Sequence, residues 1–136
     1  MNEVVPARLP KTILYVEDVE ANVKVIRAIL KSQLAGCELL SVPTAEEGLV
    51  IALEQQPDVI LMDINLPDMD GLEATRRLKQ DPKTADIPVI ALTADAMPQQ
   101  IEKADNIGFS AYVTKPIDMT LFLQTLFSVY ETSLEQ

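Results

Sequence analysis

The sequence predicts an α/β protein in which a parallel sheet is doubly wound, with helices on both of its faces. Three observations carry that prediction. Five apolar runs alternate with five helical patterns along the 136 residues, and the strand-like runs read as continuous stretches of Val, Ile and Leu rather than as alternating ones. No linker, internal repeat or low-complexity segment interrupts the order, and a chain of this length buries about two-thirds of the surface its unfolded form exposes, so one domain accounts for it.

TILYV (12–16) is the first strand and ANVKVIRAILKSQL (21–34) the first helix, because Val23, Ile26, Leu30 and Leu34 recur at helical spacing. Val25 and Ile29 lie off that stripe. ELLSV (38–42) is the second strand, and Thr44 with Glu47 forms the S/T-x-x-E capping box that opens a helix running to Gln55. Pro57 and Asp58 punctuate the entry to the third strand, VILMD (59–63). After Gly71 the helix LEATRRLKQ (72–80) is closed by Asp81-Pro82, and IPVIALT (87–93) is the fourth strand. A fourth helix begins with Pro98 in its first turn and stops at Gly108, a C-cap signature.

AYVT (111–114) is the fifth strand, and the last helix spans 118–133. Its stripe of Phe122, Leu126, Val129 and Tyr130 is core. Leu123 and Phe127 make a second stripe that either widens the buried face or docks a partner. This division leaves an N-terminal arm at 1–11, a domain at 12–133 and a tail at 134–136.

Composition removes many functions. A net charge of −10 repels nucleic acid, whose binding rests on Lys and Arg neutralising phosphates, so no direct nucleic-acid contact is expected. The chain has no histidine and one cysteine, which excludes zinc clusters, intrachain disulfides and His-dependent nucleophilic catalysis. Cys37, beside the second strand, reads as a small buried hydrophobe. No apolar run reaches the ~20 residues of a membrane span, and the arm has no signal-peptide core, so membrane insertion is not expected and the cytoplasm is.

Open α/β sheets bind their ligands beyond the carboxyl ends of the strands. Reading those ends in order gives Glu17-Asp18, Asp63, Thr93 and Lys115, while the second strand ends without a polar group at Val42-Pro43. Three converging carboxylates repel, a like-charge pair at ~4 Å costing roughly 4 kcal/mol. A hard divalent cation relieves this, and Mg²⁺ is expected because it keeps several waters and takes one or two carboxylates plus phosphate oxygens. With one lysine and one Mg²⁺ the formal charges of the site cancel.

The blocks YVEDVEAN, PDVILMDINLPDMDG, ALTA and YVTKP resemble, in order and spacing, the signature blocks of response-regulator receiver domains of two-component signalling, with the resemblance running from about Thr12 to Ser133. It implies a flavodoxin-like (βα)5 sheet of order 2-1-3-4-5, an order for which a receiver protein is a standing example. It implies that Asp63 is the phosphoryl acceptor, that Asp18, Asp63 and the backbone carbonyl of Asn65 bind Mg²⁺ with Glu17 acting mainly through water, and that Thr93 and Lys115 hold the phosphoryl oxygens. Thr93 and Tyr112 are the implied switch pair, Asn65 and Asp95 the positions that tune hydrolysis, and Pro116 the residue of a cis turn aiming Lys115. The first helix, with Val25 and Ile29, is the implied contact of the phosphodonor. Val19 departs from the asparagine common after the acid pair, so no partner preference tied to it carries over.

The resemblance thus implies a phosphoprotein that catalyses only its own phosphorylation and dephosphorylation. Its donor would be a sensor histidine kinase or a histidine phosphotransfer protein, and its output a contact with another protein or a homodimer formed on phosphorylation. The initial Met, the arm and the short tail favour a stand-alone receiver; a receiver cut from a hybrid kinase and a phosphorylation-independent module of the same fold stay open. A flavin-binding protein of this sheet order is disfavoured by the acidic, glycine-free loop EDVEAN, where a bound phosphate needs backbone donors or positive charge. An aspartyl-nucleophile phosphatase would want an acid two residues after Asp63, where Asn65 stands.

Overall fold

Each apolar run forms a strand: β1 (Thr12–Val16), β2 (Glu38–Val42), β3 (Val59–Asp63), β4 (Val89–Thr93) and β5 (Ala111–Thr114). The helices that follow them are α1 (Glu20–Gln33), α2 (Ala45–Gln55), α3 (Gly71–Gln80), α4 (Pro98–Ile107) and α5 (Met119–Leu134). This computed structural model describes residues 8–95 and 97–135; residues 1–7 of the expected arm and Gln136 of the expected tail lie outside that range. The strands are all parallel, in the order β2-β1-β3-β4-β5 that the resemblance implies.

Burial explains the strand composition. Every residue of β3 and β4 is buried, which is why these strands read as unbroken apolar runs. β2 is an edge strand, and Glu38 and Ser41 are exposed on it. One face of the sheet, bearing Ile13, Tyr15, Leu61, Leu92 and Val113, packs against α1 and α5. The other, bearing Leu14, Val16, Ile60, Met62 and Ala91, packs against α2, α3 and α4.

The helix faces resolve the two open stripes. Phe122, Leu126, Val129 and Tyr130 are buried, and Leu123 and Phe127 pack half-buried against the same core, so the second stripe of α5 widens its buried face. In α1 the off-stripe pair divides: Ile29 is buried, whereas Val25 stays exposed. Cys37 is half-buried against the α1/α5 core, and burial, then the charges of Asp58 and Glu38, push its thiol up to about 11.

Boundaries shift by a residue or two for local reasons. β4 begins at Val89 rather than at Ile87, because Pro88 has no N–H for the ladder and contributes only its carbonyl, which accepts from Ile60. α1 begins at Glu20 behind Val19, an N-cap position with no side-chain acceptor, so nothing in the sequence marks the start. Thr44 caps α2 as the pattern predicts, its hydroxyl accepting from the Glu47 N–H and donating to the Glu47 carboxylate. Gly108 closes α4 at φ 115°, a left-handed conformation that glycine adopts without strain.

Candidate functional site

Strand parity decides which side chains can meet. Residues two apart on a strand share a face. Glu17, Asp63 and Lys115 follow Tyr15, Leu61 and Val113 at that interval, all three of them on the α1/α5 face. Thr93 follows Ala91 on the opposite face, where Tyr112 also packs. The sheet order puts β1, β3 and β4 side by side, and β5 one strand further out. A long side chain is needed from β5, and Lys115 supplies it.

At the mouth, Glu17 is 2% exposed and Asp63 5%. Glu17 Oε1 accepts three hydrogen bonds: from Lys115 Nζ at 2.7 Å, from the Tyr15 hydroxyl at 3.0 Å and from Asn22 Nδ2 at 3.0 Å. Oε2 accepts one, from the Val19 N–H at 3.3 Å. Lys115 Nζ also lies 3.5 Å from Asp63 Oδ1, which accepts from the Asn65 N–H at 3.2 Å. Asp18 is exposed, and one oxygen from each of Glu17, Asp18 and Asp63 falls within 4.8 Å of the others.

The electrostatics follow from this crowding. Burial, and then the hydrogen bond and charge of Glu17, push the Asp63 carboxyl up to about 6 against the opposing charge of Lys115. Burial pushes Glu17 the same way, but hydrogen bonds from Lys115 and Asp63 and the lysine's charge outweigh it and hold this carboxyl at about 2. Tyr15 is raised far above its ordinary value by burial and then by Glu17, so its hydroxyl remains a donor. The pair under Lys115 is asymmetric. One carboxylate is held in its charged form, and the other ionises less readily than an ordinary aspartate.

That chemistry fits a hard divalent ion. The donors are all oxygen, Asp18 leaves the cluster open on one side, and the three carboxylates bring together negative charge that a cation would balance. The acidic cluster can hold a metal.

The loops on either side are braced by residues the sequence marks only faintly. Gly71 sits against the end of β3, where a Cβ would come within 2.2 Å of the Asp63 carbonyl oxygen, and its N–H donates to the Ile64 carbonyl at 2.8 Å. Only glycine fits there. Asp70 caps α3 through the Leu72 N–H, and Asp68 reaches back to α2, accepting from the Ala45 and Glu46 N–H groups at 2.8 and 3.0 Å. These two aspartates are cap residues, although the helix that Asp68 caps is not its own.

On the other side, Thr93 is buried and its hydroxyl accepts from the Asp95 N–H at 3.1 Å. The Tyr112 hydroxyl donates to the Asp95 carbonyl, so one residue links the two. The Asp95 carboxylate is turned into its own loop and accepts from the Met97 N–H at 3.0 Å. The Lys115 N–H donates to the Thr93 carbonyl at 2.8 Å, and the Lys115–Pro116 peptide bond is cis. The structure therefore brings Glu17, Asp18, Asp63 and Lys115 together, with Asn65 in contact through its N–H, and sets Thr93, Asp95 and Tyr112 beside them as a second linked group. Sequence reasoning missed the hold of Tyr15 and Asn22 on Glu17; the available signal was one hydroxyl within the apolar run 13–16, two residues before the acid.

The chain belongs to the response regulator receiver domain family, whose sequence pattern matches residues 13–127. It is similar to the polar-differentiation response regulator DivK of Brucella anthropi, with 42% identity over 118 residues that cover 87% of this chain and 94% of that one. A CheY-like receiver domain protein from Methanospirillum hungatei superposes with a TM-score of 0.83 at 27% identity, covering 92% of this chain and 97% of the other. The receiver domain of the sensor histidine kinase PA1611 from Pseudomonas aeruginosa superposes with a TM-score of 0.80 at 32% identity, covering 90% and 99%, and that structure holds a magnesium ion in its active-site cleft. This is a signalling domain of two-component systems. No helix among the described residues is long and apolar enough to cross a membrane.

Proposed function

We propose that this chain is a phosphoacceptor switch, taking a phosphoryl group from a phosphohistidine of a sensor histidine kinase or histidine phosphotransfer protein onto Asp63. The observation that carries this reading is the placement of Lys115 Nζ, 2.7 Å from Glu17 and 3.5 Å from Asp63, at the edge of the acidic cluster. A lysine so placed can stabilise charge on a group transferred to Asp63. Bound at Glu17, Asp18, Asp63 and the Asn65 carbonyl, Mg²⁺ would neutralise the carboxylates and the charge on the transferring phosphoryl oxygens.

In the forward step an Asp63 carboxylate oxygen forms a bond to phosphorus as the phosphorus–nitrogen bond of the donor breaks, and the electron pair leaves with the imidazole nitrogen. Lys115 follows the new charge from Glu17 to a phosphoryl oxygen, and the Thr93 hydroxyl donates to another. Phosphorylation adds charge and acceptor oxygens at Asp63, which draws Thr93 away from the Asp95 N–H and disturbs the Asp95–Tyr112 link. That link would transmit the mark to a protein partner or to a second copy of the chain. Hydrolysis returns the carboxylate, with Asn65 and Asp95 beside the path of the attacking water once the Asp95 carboxylate leaves the Met97 N–H.

Incubation with Mg²⁺ and a small acyl phosphate, read by intact mass, tests the chemistry. The expected result is a gain of one phosphoryl group by the native chain and none by Asp63→Asn. An equal gain in the variant sinks the assignment, and no gain in either leaves a receiver-like module that has lost the reaction.

A further inference from the structure

Glu17 is the most heavily bonded side chain of the site, and two of its partners are neutral side chains with no part in the reaction as derived. Tyr15 is fully buried in the α1/α5 core, where a phenylalanine would fill the same space, yet it ends in a hydroxyl placed 3.0 Å from Glu17 Oε1. Asn22, in the first turn of α1, presents its amide to the same oxygen at 3.0 Å. The same Oε1 also receives Lys115, whereas Oε2 receives only a backbone N–H at 3.3 Å.

The distribution has a consequence for Lys115. A carboxylate that is 2% exposed cannot be left by its lysine without a large penalty unless other donors stay on it. Tyr15 and Asn22 are those donors. We propose that Tyr15 and Asn22 are positioning residues that hold Glu17 in place from its Oε1 side, so that Oε2 faces the metal position and Lys115 is free to exchange between Glu17 and the phosphoryl group. This rests on the reading of Glu17, Asp18 and Asp63 as a metal site. Without the two neutral donors, Glu17 would lean on Lys115, and lysine and metal would compete for it.

Manganese(II) alone, titrated by electron paramagnetic resonance with no phosphodonor present, reads the effect apart from activity. Tyr15→Phe and Asn22→Ala are each expected to weaken Mn²⁺ binding about tenfold, the scale of losing an outer-shell partner of a metal ligand. In a Glu17→Gln background Tyr15→Phe is expected to change nothing further, and the amide NMR spectra of the variants are expected to remain those of the native fold. Mn²⁺ affinities within twofold of the native chain for both variants would overturn the inference, as would an undiminished effect of Tyr15→Phe in the Glu17→Gln background. Absence of Mn²⁺ binding by the native chain would overturn the metal-site reading and this inference with it, a result distinct from the first two.

Discussion

Lys115 and Lys79 are both drawn partly inside the fold, at opposite ends of the sheet, and their partners differ in kind. Lys79, in the last turn of α3, donates to the carbonyls of Ala85 at 3.1 Å and Ile87 at 2.8 Å, beside a cavity of ≈ 290 Å³ that Asp86 and Ser110 also line. Burial lowers its pKa, against the charge of Asp86. Lys115 donates to a carboxylate and stands near a second. Backbone carbonyls are fixed neutral dipoles, so Lys79 locks the turn between α3 and β4 and has nowhere else to go. Carboxylates can be re-paired by a cation or a phosphoryl group, so the partners of Lys115 are exchangeable. The same side chain is a brace at one end and a moving part at the other.

Removing each lysine separates the two roles. Lys115→Met should slow phosphorylation by an acyl phosphate about 10²–10³-fold, the scale of losing one donor to a transition-state oxyanion. It should lower stability by only about 1.5 kcal/mol in urea denaturation at neutral pH, the worth of one charged hydrogen bond, since Tyr15 and Asn22 stay on Glu17. Gly71→Ala should cost about 2–3 kcal/mol and also slow phosphorylation, because the added Cβ must push the Asp63 backbone aside. Lys79→Met should cost about 1–2 kcal/mol, the worth of two lost hydrogen bonds, with phosphorylation and Mn²⁺ affinity unchanged. A phosphorylation defect in Lys79→Met would erase the contrast.

Asp63 contributes a pH dependence of its own. Its pKa is raised in the fold to about 6 from an ordinary 3.8, so its share of native stability is full below about pH 4 and is lost as pH rises through 6. In metal-free buffer, Asp63→Asn should therefore gain about 1–2 kcal/mol over the native chain at pH 7.5, once screening by solvent at the open mouth is allowed for. At pH 4.5 the two urea midpoints should converge. Added Mg²⁺ at pH 7.5 should stabilise the native chain and leave the variant nearly unchanged. The smallest expected effect belongs to Asp68→Ala, about 1 kcal/mol of thermal stability for a lost helix cap, with Mn²⁺ affinity intact.

Much of this was legible one residue at a time. Gly108 marks the end of α4 because tolerance of a left-handed φ is a property of a single residue; Pro88, read inside the strand 87–93, instead holds the start of β4 back to Val89 by its missing N–H. The Thr44–Glu47 box is legible because it stands just ahead of a helical pattern and its bonds are local. Glu17, Asp18, Asp63, Thr93 and Lys115 stood out because each interrupts or ends an apolar run. Less visible was the work of residues whose partners lie far along the chain. Asp68 reads as a loop residue, yet it caps a helix that begins 23 positions earlier. Gly71 reads as a turn, whereas its constraint is the approach of its Cα to the Asp63 carbonyl. Tyr15 reads as a strand aromatic, because nothing local says where its hydroxyl points.

The sequence by itself determined the alternation of strands and helices, the mostly buried character of the strands and the list of polar groups at their carboxyl ends. Periodicity and polarity are local and survive in a linear text. Tertiary structure alone decided that Lys115 pairs with Glu17 across 98 positions, that Tyr15 and Asn22 converge on the same oxygen, and that Asp63 is raised while Glu17 is lowered. Those outcomes depend on strand register and on which charges share a low-dielectric mouth, and neither exists until the sheet has assembled.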